Sequence, residues 1–170
     1  MAKQQEKKRH KESEQDKVKS DITEKVLHIN RCAKVITGGR KFSFSALILA
    51  SDGKGSVGYG FAKANELTDA IKKAGDSARK NMRTYELEGS TFPHEHIEDW
   101  DGASILMKPS PRGSGLVAGS VIRDILEMAG IKDGMVKSIG GNNPINLVKV
   151  TFKALAKLRS RKSIKAWRNI

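Results

Sequence analysis

The stretch VGYGFA sets Val57, Tyr59 and Phe61 against Gly58, Gly60 and Ala62 in strict alternation. Side chains that change face at every residue mark a β-strand. One face of this strand therefore carries large side chains, and the other is almost bare. A bare face lets a neighbouring backbone come close, so the chain has to fold with something packed tightly against residues 57–62. The turn residues DGKG just before it join it to a preceding strand as a hairpin. In that first strand Phe42, Phe44, Ala46, Ile48 and Ala50 share one face, and Ser43, Ser45, Leu47 and Leu49 share the other. The second face begins polar and ends apolar, so the far end of the strand is expected to be covered on both sides.

Upstream, EKVLHINRCAKV reads as a strand that meets TGG, where adjacent glycines permit positive φ and a reversal of the chain. Downstream, Leu67, Ala70, Ile71, Ala74, Ala78 and Met82 recur at helical spacing, which predicts an amphipathic helix from Glu66 to about Met82. EGSTFPHEHIEDWDG breaks the periodicity and places a domain junction near Ser90. Beyond it, ASILMKP reads as a strand, SPRGSG as a loop, LVAGSVIRDILEMAG as a helix stopped by Gly130, and GMVKSIG as a strand. NNPINLVKVTFKALAKL reads as a helix with Pro144 in its first turn and Asn142 or Asn143 as cap. A further strand fits Glu95 to Trp100.

Charge then separates the blocks. The net charge of +13 points to a polyanionic partner, nucleic acid before membrane. Residues 1–25 carry +2, 26–90 carry +5, 91–152 carry −1 and 153–170 carry +7. A chain made basic only for solubility has no reason to keep one block neutral, so two regions are expected to face nucleic acid around a block that faces protein. The opening segment has mixed charges and no apolar run, unlike a secretory signal or transit peptide, and is expected to be disordered when free. The last twelve residues, RSRKSIKAWRNI, contain no acid; a solvated basic tail and a tail lying along RNA phosphates fit them equally. With Cys32 alone, an intramolecular disulfide and a multi-cysteine zinc site are excluded. No apolar run reaches the ~18 residues of a membrane-spanning helix.

Several motifs imitate enzymes. GKGSVG (Gly53–Gly58) has the G-x-G-x-x-G spacing of a dinucleotide site, but a strand follows it where a helix is required. GSGLVAG (Gly113–Gly119) is the better imitation, since it follows a strand and opens a helix, where free backbone N–H groups welcome phosphate. Against that reading, no Lys-Ser/Thr pair completes a phosphate loop, and Asp133 precedes the next strand instead of ending it. His94 and His96, beside Glu95, Glu98 and Asp99, lack a third ligand at metal spacing, so a polar linker is the better account. Cys32 has His28 four residues away but nothing that aims them at each other.

The segments NRCAKVITGGRKFSFSALILASDGKGSVGYGFAKANELTDAIKKAGDSARKNM, GSGLVAGSVIRDILEMAGIKD and KSIGGNNPINLVKVTFKAL together resemble one family, the bacterial fifth protein of the small ribosomal subunit. The resemblance runs in register from about Glu24 to Leu158. It implies an α+β chain: a double-stranded-RNA-binding-like domain of three antiparallel strands and a helix (26–90), then a two-layer βαβα domain (91–158), between tails at 1–25 and 159–170. The second fold also occurs in small-molecule kinases with a glycine-rich phosphate loop, which explains the enzymatic look of GSGLVAG. Fold alone does not decide function.

The resemblance further implies a cytoplasmic, non-enzymatic structural protein of the small subunit without cofactor or metal. It would bind small-subunit rRNA near the decoding region and the channel by which mRNA enters. It would touch the fourth and eighth small-subunit proteins, with the third nearby, and support translational accuracy. Carried over by position, Asn30, Arg31, Lys34, Gly38, Gly39, Arg40 and Lys41 match an rRNA-binding loop, with Lys54 and Lys63 added to that surface, while Gly113, Gly115 and Arg123 match a protein interface. Ser56, Arg112 and Gly141 depart from the family pattern. The alternatives are a phosphate-binding kinase-like enzyme and a free-standing double-stranded-RNA binder.

Overall fold

The computed structural model describes residues 22–53, 55–85, 87 and 89–168. Most of the N-terminal tail, and Lys54, lie outside the described residues. The first half forms β1 (Thr23–Ile36), β2 (Gly39–Ser51), β3 (Ser56–Ala64), helix α1 (Leu67–Lys80) and the short β4 (Arg83–Thr84). These strands make one antiparallel sheet in the order β1-β2-β3-β4. The expected three strands and helix are present, and β4 extends the sheet beside β3. β1 begins at Thr23, inside the stretch read as tail, because its first residues have partners: Glu24 reaches Arg79 on α1 at 2.7 Å.

The bare face of β3 explains how α1 sits. A Cβ at Gly60 would overlap the Ala74 carbonyl and lie 2.6 Å from the Ala78 nitrogen; one at Gly58 would overlap the Ala78 carbonyl and lie 2.7 Å from the Met82 nitrogen. The helix meets these glycines with its own small stripe, Ala70, Ala74 and Ala78, all fully buried. Ala46 and Ile48 of β2 complete that layer, with Phe44 packed at its edge.

The second half forms β5 (His96–Trp100), β6 (Ala103–Lys108), β7 (Leu116–Val117), α2 (Ser120–Ala129), β8 (Gly134–Gly140), α3 (Pro144–Lys157) and α4 (Arg161–Arg168). Its sheet is mixed, ordered β5-β6-β8-β7, with β7 and β8 parallel and the other pairs antiparallel. Two expectations are corrected. The helix expected from Leu116 starts at Ser120, because Leu116 and Val117 pair with Gly134 and Met135 as a strand. The C-terminal stretch read as a tail contains α4, whose first turn is capped by the Ser160 hydroxyl accepting from the Ser163 amide at 3.2 Å. Gly130 does end α2, in the left-handed conformation. The cap of α3 is Asn143, whose Oδ1 accepts from the Ile145 amide.

The two sheets share a core. The second face of β2 presents Leu47 and Leu49 to a cluster that includes Ile122, Ile125 and Leu126 of α2, Val148 and Leu155 of α3, and Ile105 and Met107 of β6. The expected two-sided cover of the far end of β2 is present. Ser51 donates to the Met128 carbonyl at 2.6 Å, and Lys25 pairs with Asp124 at 2.7 Å.

Because backbone, and not a flexible side chain, lies against β3, Gly60→Ala should lower stability by ~1–3 kcal/mol or more, the cost of overpacking. Urea unfolding of the full chain checks this, with Ala62→Ser on the same strand as a mild control.

Candidate nucleic-acid interface

β3 pairs with β2 only as far as Phe44, whereas β1 and β2 stay paired out to Ile36 and Gly39. Their outer halves therefore project as a two-stranded ribbon, exposed on both faces from Ala33 to Phe42. Of the residues matched to an rRNA-binding loop, Lys34, Gly38, Gly39, Arg40 and Lys41 stand on this ribbon, while Asn30 and Arg31 stand at its base where β3 still pairs, so the loop is a hairpin. Only its turn is irregular, and Gly38, at φ +91°, supplies the conformation that closes it. Gly39, at φ +159°, is close to extended, so the reversal depends on Gly38.

Alternation divides the cations. Lys34 and Lys41 are direct cross-strand partners on one face, in line with Asn30, and Asn30 lies level with Ser45 and Lys63 across the sheet. Arg31 and Arg40 lie on the opposite face. Like charges directly opposite each other destabilise a strand pair. No acid interrupts residues 29–42, and among the described residues no acid forms an ion pair with Lys34, Arg40, Lys41 or Lys63. An anion from outside would relieve this repulsion. Phe42 shares its face with the buried Ala46 and Ile48 but is itself 43% exposed, and the Arg31 guanidinium stacks 3.8 Å above its ring. Phe44, half-buried, is the aromatic that roots the ribbon.

Around Glu98 the cations are internally matched. Glu98, 5% exposed, takes ion pairs from Lys153 and Lys157 and a contact from His96 at 3.1 Å. Hydrogen bonds from Lys153 and then Lys157 hold its carboxyl down from 4.5 to about 2. His96 thus lies within hydrogen-bonding distance of Glu98, and among the described residues no group of three or more His, Cys, Asp or Glu could hold a metal. Cys32 is half-buried, and its Sγ lies 4.0 Å from the Ser45 hydroxyl.

The phosphate-like loop is occupied from within. The Asp133 carboxylate accepts from the Gly113 and Gly115 amides at 2.9 and 3.0 Å and from the Ser90 hydroxyl at 2.8 Å. Ser90, then the Gly115 amide, holds this carboxyl below its usual value. Two N–H groups that made the loop look like a phosphate site are already satisfied, and the kinase-like reading loses its basis. Gly113, Gly115 and Arg123 all remain exposed at the surface. Of the family departures, Ser56 hydrogen-bonds the Thr84 hydroxyl at 2.9 Å, the Gly141 amide donates to the Gly102 carbonyl at 2.9 Å, and Arg112 lies near enough to Asp133 to add to its lowered pKa.

Sequence reasoning missed cation–ring pairs on the second half. Lys149 and Lys153 flank Trp100, and Arg159 stacks on Trp167 at 4.6 Å. These partners lie on different elements or across a turn, and only the tail's lone Trp167 among basic residues hinted at them.

A cationic ribbon projecting from the first sheet, and a phosphate-like loop elsewhere filled by the chain's own carboxylate, have the character of an architectural nucleic-acid-binding protein rather than an enzyme. Residues 22–85 match the family model for ribosomal protein S5, N-terminal domain, and residues 98–168 match that for ribosomal protein S5, C-terminal domain. The chain is 62% identical over 157 residues to the small ribosomal subunit protein uS5 of Protochlamydia amoebophila, covering 92% of this chain and 94% of that protein. It is 62% identical over 150 residues to the uS5 of Chlamydia abortus, covering 88% and 91%. The chain belongs to the ribosomal protein S5 family, whose members are structural constituents of the ribosome and not enzymes.

Folding lowers the Glu98 pKa, so between about 2 and 4.5 the unfolded chain binds more protons than the folded one. Its stabilising contribution is complete above 4.5 and is lost as pH falls toward 2. Asp133, also lowered, adds to the same acid limb. Glu98→Gln should therefore lower stability at neutral pH and flatten the acid loss, as read from melting temperature against pH.

Proposed function

We propose that the chain is a structural constituent of the small ribosomal subunit in the cytoplasm and that its ribbon holds small-subunit rRNA. The observation that carries this reading is the acid-free ribbon with Lys34 directly opposite Lys41. Folding brings these like charges together at a cost that phosphate contact recovers. Lys34, Lys41, Lys63 and Asn30 form one contact face, and Arg31 and Arg40 the other, so the ribbon is suited to lie between two backbone segments. Contacts of this type fix position without reading bases. Three antiparallel strands on a helix favour a double-stranded-RNA-binding-like role for residues 26–90, with shape recognised before sequence.

Residues 91–158 form the protein-facing unit. Gly113, Gly115 and Arg123 present an exposed edge to the fourth small-subunit protein, with the eighth also in contact and the third nearby. This position borders the decoding region and the channel by which mRNA enters, and through it the protein supports translational accuracy. The family resemblance and the near-neutral charge of this block support the assignment.

Sucrose-gradient sedimentation of lysate separates the readings: a subunit constituent travels with small subunits, and a free-standing RNA binder stays at the top. Lys34→Gln with Lys41→Gln should weaken binding to rRNA and make the fall of log affinity with log salt shallower by roughly 0.9 for each phosphate no longer neutralised. Gly38→Val should weaken binding while melting stays cooperative, because a Cβ there meets no neighbour but strains the turn. Arg123→Ala should loosen the interface with the fourth protein and raise misreading in a reporter assay; unchanged miscoding would remove Arg123 from that interface.

A further inference from the structure

A cleft of about 480 Å³ opens between the C-terminal end of α1 and α3, away from the ribbon tip. Phe152 and Tyr85, 8% and 9% exposed, are its most enclosed rings, and Tyr59 lies 4.9 Å from Phe152 between centroids. Phe61, 38% exposed, borders the same space, and Ser77 and Asn81 supply polar groups. A second recess of about 360 Å³ shares Arg83, Tyr85 and Ala156 with it and runs on to Arg159 and Trp167.

The charge of this lining is one-sided. Arg83, Lys153 and Arg159 contribute to it, and no acid does among the described residues. Lys153 is committed to Glu98, and Arg159 stacks on Trp167 without an acid beside it among the described residues, which leaves the charge of both arginines open to an anionic ligand. Rings beside unmatched cations suit a ligand that is flat and anionic at once. The volume falls within the ~300–1,000 Å³ of small-ligand pockets, enough for a nucleotide and too little for a duplex. Single-strand binders combine the same parts, a basic track with aromatic stacking platforms.

We propose that this cleft receives an unpaired base of an RNA strand, stacked on Phe61, with Arg83 and Arg159 meeting the adjoining phosphates. The assignment rests on the rRNA-scaffold reading and adds to the ribbon a second RNA-binding site, specific for unpaired nucleotides.

The test uses the full chain with two fluorescein-labelled probes, a short oligoadenylate and an RNA duplex. Phe61→Ala and Arg83→Gln, both at exposed positions, should each weaken oligoadenylate binding by about tenfold or more. Both should leave duplex affinity and melting temperature unchanged. Crosslinks from a 4-thiouridine oligomer should map to the Phe61 and Arg83 peptides. Unchanged oligoadenylate affinity in both variants would overturn the assignment, as would a loss confined to binding of neighbouring subunit proteins, which would make the cleft a protein site. The Lys34→Gln, Lys41→Gln variant reports separately on the ribbon: if it leaves duplex binding intact, the rRNA reading fails whatever the cleft does.

Discussion

The close approach of the α1 backbone to Gly58 and Gly60 sets the geometry on which the other layers depend. With no side chain between them, helix and sheet meet at backbone distance, and the fully buried alanine stripe of α1 packs against the glycine face. The large side chains of β3 are then directed to the opposite face, where Tyr59, with Leu47 and Leu49 of β2, meets α2 and α3. Consecutive residues of β1 tie the result together: Glu24 holds α1 on one side of the sheet and Lys25 holds α2 on the other. A two-stranded ribbon is marginal alone. Here it continues strands that are pinned on both faces.

Electrostatics divides the molecule along the same line. In the second half, Glu98 and Asp133 bind cations or amides of the chain itself, and both carboxyls are held ionised below their usual range. On the ribbon, cations face each other and water. The same residue types are internal glue in one place and an open surface in the other, and the difference is the presence of acids within reach.

Much of this was legible in the sequence because it is periodic. Alternation located β2 and β3 and the bare face of Gly58 and Gly60, and helical spacing located α1 to within two residues of each end. What escaped had little or no local signal. Leu116 and Val117 became a strand because β8 lies beside them, which outweighs the helical pattern they begin. The helix in the C-terminal stretch is short and lacked a clear apolar face. Phe42 fits the period of its buried neighbours, but the sheet has already narrowed to two strands at that point, so alternation says which face it takes and not what covers that face. The capture of Gly113 and Gly115 by Asp133 spans about twenty residues of chain and leaves only a negative trace, an acid out of place for a ribose site.

That capture governs selectivity. A loop of this shape left open would compete for every free phosphate and nucleotide in solution, and a protein awaiting assembly would meet those small anions long before its intended polymer. By supplying its own carboxylate, the chain makes the loop indifferent to them. Cations without an acid partner among the described residues stand instead on a projecting hairpin, spaced along its two faces. A small anion can satisfy one of those cations at a time, whereas a polymer of phosphates can engage them together.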